Sequence, residues 1–71
     1  MPLCYFPPGS NTERVCWYGG ESTQLHYEEL RDNFNDPDEW IDVEVRTLGG
    51  GIPSGVKELS QELVDFYNYC Q

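Results

Sequence analysis

The stretch Ile41-Asp42-Val43-Glu44-Val45-Arg46-Thr47-Leu48 opens with strict alternation of apolar and charged residues. Successive side chains of an extended strand point to opposite faces. Ile41, Val43 and Val45 are thus expected on one face, and Asp42, Glu44 and Arg46 on the other. One side of a small sheet would be buried and the other wet.

Beyond this strand, Gly49-Gly50-Gly51 forms a joint that leads through Ile52-Pro53 to a second strong signal over residues 54–70. Val56, Leu59, Leu63, Phe66, Tyr67 and Cys70 recur at helical spacing, while Lys57, Glu58, Gln61, Glu62 and Asp65 lie elsewhere. An apolar stripe of this kind marks an amphipathic helix packed on a sheet, with Ser54 as its N-cap. Working back toward the start, Tyr27, Leu30 and Phe34 fall at i, i+3 and i+7, which predicts a helix over 27–34. Glu28 and Glu29 suit the start of that helix, and Asn35-Asp36-Pro37 stops it. Residues 3–6 and 14–18 read as two short strands joined through Pro7-Pro8-Gly9-Ser10-Asn11. Residues 21–25 either continue extended or enter the helix. The expected fold is α+β in the order β-β-α-β-α. A small, mainly antiparallel sheet packs against the C-terminal helix, all within a single domain spanning 1–71.

At 71 residues the chain buries only about 60% of the surface exposed by its unfolded form, which leaves little room for a deep catalytic cleft. Trp17, Trp40, Phe6, Phe34, Phe66 and five tyrosines provide a core and set the chain apart from disordered acidic segments. The three cysteines, Cys4, Cys16 and Cys70, form an odd set with no leader segment, which points to reduced thiols in a cytoplasm. Cys4 and Cys16 can nevertheless face each other across the first hairpin, so one disulfide is open to them. No apolar run reaches the length of a membrane span.

Charge is the strongest functional signal. Thirteen acids stand against four bases, a net charge of −9. Such a protein repels nucleic acid and anionic membranes and is drawn to basic surfaces. Eight of the acids cluster between 28 and 44: Glu28, Glu29, Asp32, Asp36, Asp38, Glu39, Asp42 and Glu44. On the predicted elements, Glu28 and Asp32 share a helix face. Asp42 and Glu44 lie about 6–7 Å apart along one strand face. Joined by the acidic turn, these rows make a negative ridge whose carboxylates imitate backbone phosphates. Trp40 lies in the turn or at the opposite parity from Asp42; it serves either as an interface anchor or as a half-buried cap on the core.

Other constellations fail on spacing. An EF-hand loop starting at Asp36 would put Trp40, Ile41 and Thr47 where an oxygen ligand, a glycine and a glutamate are required. Gly50 to Lys57 matches a phosphate loop only in part, since the lysine is displaced and no Ser or Thr follows it. His26 is the only histidine, and no Ser/His/Asp set can be assembled around it. Without CxxC or Cys/His pairs, no zinc site is read. No catalytic residue, metal ligand or cofactor is assigned.

The chain resembles in type the small acidic phage-encoded inhibitors, among them many anti-CRISPR proteins. More locally, Glu21-Ser22-Thr23, then Glu28-Glu29-Leu30, Asp32 and Phe34, then Ile41 to Thr47, are similar to the uracil-DNA glycosylase inhibitors. That family carries a Glu-Ser strand end, a helix opening with paired glutamates and an alternating strand. The resemblance implies that Glu21 and Ser22 enter an enzyme's DNA groove while Glu28 and Glu29 add negative charge. Thr23 stands where that family has isoleucine, and the second half of the chain shows no match. The resulting expectation is a non-enzymatic inhibitor, monomeric or homodimeric, acting in a host bacterial cytoplasm. Its partner is a basic nucleic-acid-binding protein or complex, either a CRISPR effector or a DNA-repair enzyme. No direct contact with nucleic acid or membrane is expected. The reading from another class is an acidic adaptor that binds through its aromatic and apolar surface.

Overall fold

The computed structural model describes every residue except Met1, Asn33, Phe34 and Asp36. The elements are β1 (Leu3–Tyr5), β2 (Glu13–Trp17), β3 (Gln24–Arg31), β4 (Glu39–Thr47) and α1 (Val56–Cys70). The strands pair with their sequence neighbours in one antiparallel sheet of order β1-β2-β3-β4. The α+β class, the antiparallel sheet and the C-terminal helix agree with the sequence reading.

Residues 27–31 of the expected helix over 27–34 lie instead in strand β3, so the order is β-β-β-β-α. Phe34, which completed the helical pattern, lies outside the described residues. Read at period two, the segment places Leu25 and Tyr27 on one face, both in the core, and His26, Glu28 and Leu30 on the other. The strand is central, paired with β2 on one side and β4 on the other. Both its edges are therefore hydrogen-bonded, and Glu28, paired with Arg14 of β2, occupies a buried position that polarity alone does not reveal.

Two turns set the meander. Ser10 N–H donates to the Pro7 carbonyl at 3.2 Å, with Gly9 at φ +83° in the third turn position. That position of a type II turn demands positive φ, which glycine adopts without a side-chain clash. Ser22 N–H closes the second turn onto the Gly19 carbonyl at 3.3 Å. The Trp17 indole N–H then donates to the Ser22 carbonyl at 2.7 Å and holds this turn against the end of β2.

Helix α1 packs on β1, β2 and β3. Between them lie Val15, Leu25, Tyr27, Leu59, Leu63, Phe66 and Tyr67, flanked by Leu3, Tyr5, Trp17, Leu48 and Cys70. Full burial of a side chain the size of Leu or Phe contributes about 1.5–3 kcal/mol, so Leu25, Leu63 and Phe66 anchor the fold. Gly55, not Ser54, is the N-cap, and no side chain caps the helix. Val56, expected on the buried stripe, is 71% exposed at the first position of the helix, whereas Leu59, three residues on, is buried.

Strand β4 departs from its simple alternation. A bulge interrupts its register against β3: Tyr27 pairs with Glu44, but Glu28 pairs with Asp42, leaving Val43 as the extra residue. An inserted residue reverses the side-chain parity beyond it. Ile41, Val43 and Val45 therefore do not form one buried row. Val43 and Val45 are both more than 40% exposed, since β4 is an edge strand. No helix among the described residues is long and apolar enough to cross a membrane.

Candidate interaction surface on the open sheet face

The face of the sheet opposite α1 carries no covering element among the described residues. Its side chains follow from the strand register. Cys4 sits opposite Cys16, Cys16 opposite His26, Arg14 opposite Glu28, Glu28 opposite Asp42, and Leu30 opposite Trp40. Direct cross-strand partners share a face. The open face thus combines a disulfide, a charged row and aromatic rings.

The disulfide joins Cys4 to Cys16, whose Cα atoms are 4.1 Å apart, and Cys70 is the free cysteine. The expectation of three reduced thiols is corrected for two of them, because pairing β1 with β2 places these side chains directly opposite each other.

Glu28 is the electrostatic centre. Its residue is 4% exposed, and burial of an unpaired carboxylate would be prohibitive. Arg14 Nε donates to its Oε1 at 2.6 Å, and the Tyr18 hydroxyl donates to Oε2. No buried side-chain nitrogen or oxygen lacks a partner among the described residues. The Tyr18 hydroxyl is pushed up to about 12, first by desolvation and then by its hydrogen bond to Glu28, whose negative charge disfavours a phenolate. The Arg14 guanidinium also stacks 4.0 Å from the centre of the Trp40 ring, a cation–π contact. Phe6 meets Trp40 edge-on at 6.4 Å, and Tyr18 meets His26 edge-on at 5.1 Å. His26 Nδ1 lies 3.2 Å from Asp42 Oδ2.

The structure redistributes the acids expected to form a ridge. Glu28 is buried and neutralised by Arg14. Glu28 and Asp32 do not share a helix face, because residues 24–31 are a strand. Asp42 and Glu44 point to opposite faces, because the bulge lies between them. Glu44 accepts the Cys70 thiol at 3.2 Å on the helix side. Glu29 is paired with Arg31 at 3.2 Å. Asp32 and Asp38 are exposed at the outer end of the β3–β4 hairpin, Glu39 begins β4 half-buried, and Asp36 lies outside the described residues. Among the described residues, the helix row and the strand row therefore do not join into one ridge. What remains are the exposed acids Asp32 and Asp38, which flank the paired ends of β3 and β4, and Asp42, two residues along β4 from Trp40. Trp40 lies on the same face as Asp42, not at the opposite parity, and is half-buried by Arg14 and Phe6.

Glu21 and Ser22 sit in the β2–β3 turn, with Glu21 exposed and Ser22 half-buried. The paired glutamates that would open a helix in the glycosylase-inhibitor pattern lie instead in β3. Sequence reasoning missed Arg14, Phe6, Tyr18 and His26 as members of this surface. Each is unremarkable alone, and only the Arg14–Glu28 register reveals the group. No known protein family, curated protein or solved structure matches the chain.

Proposed function

We propose that the protein is a non-enzymatic inhibitor that binds a basic, nucleic-acid-handling protein or complex through the outer end of the β3–β4 hairpin and the adjoining open face. It competes there with DNA or RNA for a groove lined by Lys and Arg. A phage-encoded inhibitor of a CRISPR effector or a repair glycosylase has this character.

The observation that carries the reading is where the bases are spent. Arg14, Arg31 and Arg46 are each engaged by a carboxylate of the chain itself, Glu28, Glu29 and Glu62. Asp32, Asp38 and Asp42 have no Lys or Arg partner among the described residues. The negative potential is therefore turned outward, where it steers a basic partner and speeds encounter. Trp40, two residues from both Asp38 and Asp42 in the chain, and Phe6 packed edge-on against it supply the aromatic contact typical of interface anchors.

Phe6, Tyr18, Val43 and Val45 are 42–53% exposed, which favours a second reading as an adaptor bound through apolar contact. Salt separates the two. A partner recovered from bacterial lysate is purified, and its affinity is measured from low to high salt, with and without duplex DNA. Affinity that falls steeply with salt and is competed by DNA supports the inhibitor. Affinity indifferent to both overturns it in favour of the adaptor.

A further inference from the structure

His26 and Glu28 alternate on β3, and Asp42 faces Glu28 across the bulge on β4. One ligand atom from each, the His26 ring nitrogen and a carboxylate oxygen from Glu28 and Asp42, lie within 4.8 Å of one another. Metal bonds to such atoms are about 2.0–2.2 Å long, so ligands around one ion stand about 3–4 Å apart. His26 Nδ1 and Asp42 Oδ2, at 3.2 Å, already have this spacing. The remaining closure is within reach of the Asp42 side chain, which is 51% exposed.

Three further features suit a cation. Glu28 is held by Arg14 and Tyr18, one on each oxygen. A carboxylate has about four acceptor positions, so both oxygens retain a lone pair. Arg14 and Tyr18 then act as the outer partners that fix a ligand's orientation. Second, Arg14 cancels only one of the two carboxylate charges, within a chain of net charge −9. Third, the strands that carry the donors are hydrogen-bonded neighbours, so the set is assembled before any ion arrives.

We propose that His26, Glu28 and Asp42 form a three-ligand site for a divalent transition ion of the zinc class, with its open position toward solvent. An imidazole joined to two carboxylates favours zinc, cobalt or nickel over magnesium and calcium, which prefer all-oxygen sites. A bound ion would clip β3 to β4 at the bulge and cancel the exposed charge of Asp42. The site shares Asp42 with the proposed binding surface, but its test reads ion binding alone, so either reading can fail without the other.

The test uses the full chain with Cys70→Ser, so that no free thiol competes, after treatment with a chelator. Zinc binding is followed by calorimetry, and cobalt binding by its visible absorption. The expected result is one ion per chain, a cobalt spectrum of nitrogen–oxygen ligation, and at least a tenfold loss of affinity in His26→Ala and in Asp42→Asn. Both side chains lie outside the core, so these variants keep the fold, as circular dichroism would verify. Glu44→Gln, on the helix side, should bind as the parent does. Several weak ions per chain, equal binding of calcium, or unchanged affinity in His26→Ala would overturn the site. Each of these would reduce the cluster to general acidic attraction.

Discussion

Asp42 and Glu44 are two residues apart in one strand yet lie on opposite faces of the sheet, because Val43 is an extra residue in the register with β3. Asp42 reaches His26 on the open face, while Glu44 meets Cys70 on the helix side. If the open face binds a basic partner, Asp38→Lys combined with Asp42→Lys should weaken that complex by at least tenfold and flatten its salt dependence. Glu58→Lys combined with Asp65→Lys, on exposed positions of α1, changes net charge equally and should have a smaller effect. Equal losses from both pairs would mean that net charge, not this surface, drives binding.

The Arg14–Glu28 pair should behave as a buried one. Its side chains are 23% and 5% exposed. Removing one partner strands a charge, so Arg14→Ala should cost about 3–5 kcal/mol. Replacing both, Arg14→Met with Glu28→Leu, should recover most of that loss. Urea unfolding of the two single variants and the double variant measures the coupling. Additive losses would show that the two groups do not depend on each other.

The Cys4–Cys16 bond closes a loop of 12 residues in sequence separation. Cross-links of that span contribute about 2–3 kcal/mol through the unfolded chain. Thermal unfolding with and without a reductant should show a clear fall in Tm on reduction. Cys4→Ala combined with Cys16→Ala should become insensitive to reductant. If the double variant still responded, the effect would come from elsewhere in the chain.

Cys70 should react slowly. Desolvation and the hydrogen bond to Glu44 raise its thiol from an ordinary value of 9.0 to about 12. The thiolate is the reactive form, so alkylation at pH 8 should be at least about tenfold slower than for a small free thiol. Glu44→Gln should speed it.

The same group, with Tyr67, sets the alkaline limit of stability. Tyr67 is raised to about 12, first by its hydrogen bond to Glu13 and then by burial. Folded values above the unfolded ones mean that the unfolded state loses its protons first as pH rises. The associated stability is intact below about pH 9 and is lost progressively toward pH 12. Tm recorded from pH 8 to 11 should therefore fall. Glu13→Gln should soften the decline, because the charge that disfavours the Tyr67 phenolate is gone.

The sequence by itself determined the elements whose partners are local or whose pattern is strong. The stripe Leu59, Leu63, Phe66, Tyr67 could only be the inner face of a helix, and all four are buried. Pro7-Pro8-Gly9-Ser10 could only turn, and Gly9 takes the positive φ that the turn requires. The excess of acids over bases was equally plain. Tertiary structure decided the rest. Tyr27, Leu30 and Phe34 suited a helix, but pairing with β2 and β4 drew residues 24–31 into the sheet, where they gain hydrogen bonds on both sides. Glu28 reads as a surface acid until Arg14 is placed opposite it. Asp42 and Glu44 form one row until the bulge separates them. Local pattern reports which faces a segment can have, whereas cross-strand register determines which residues share one. Register depends on contacts distant in sequence, so the open face and its charged centre became visible only once the strands were paired.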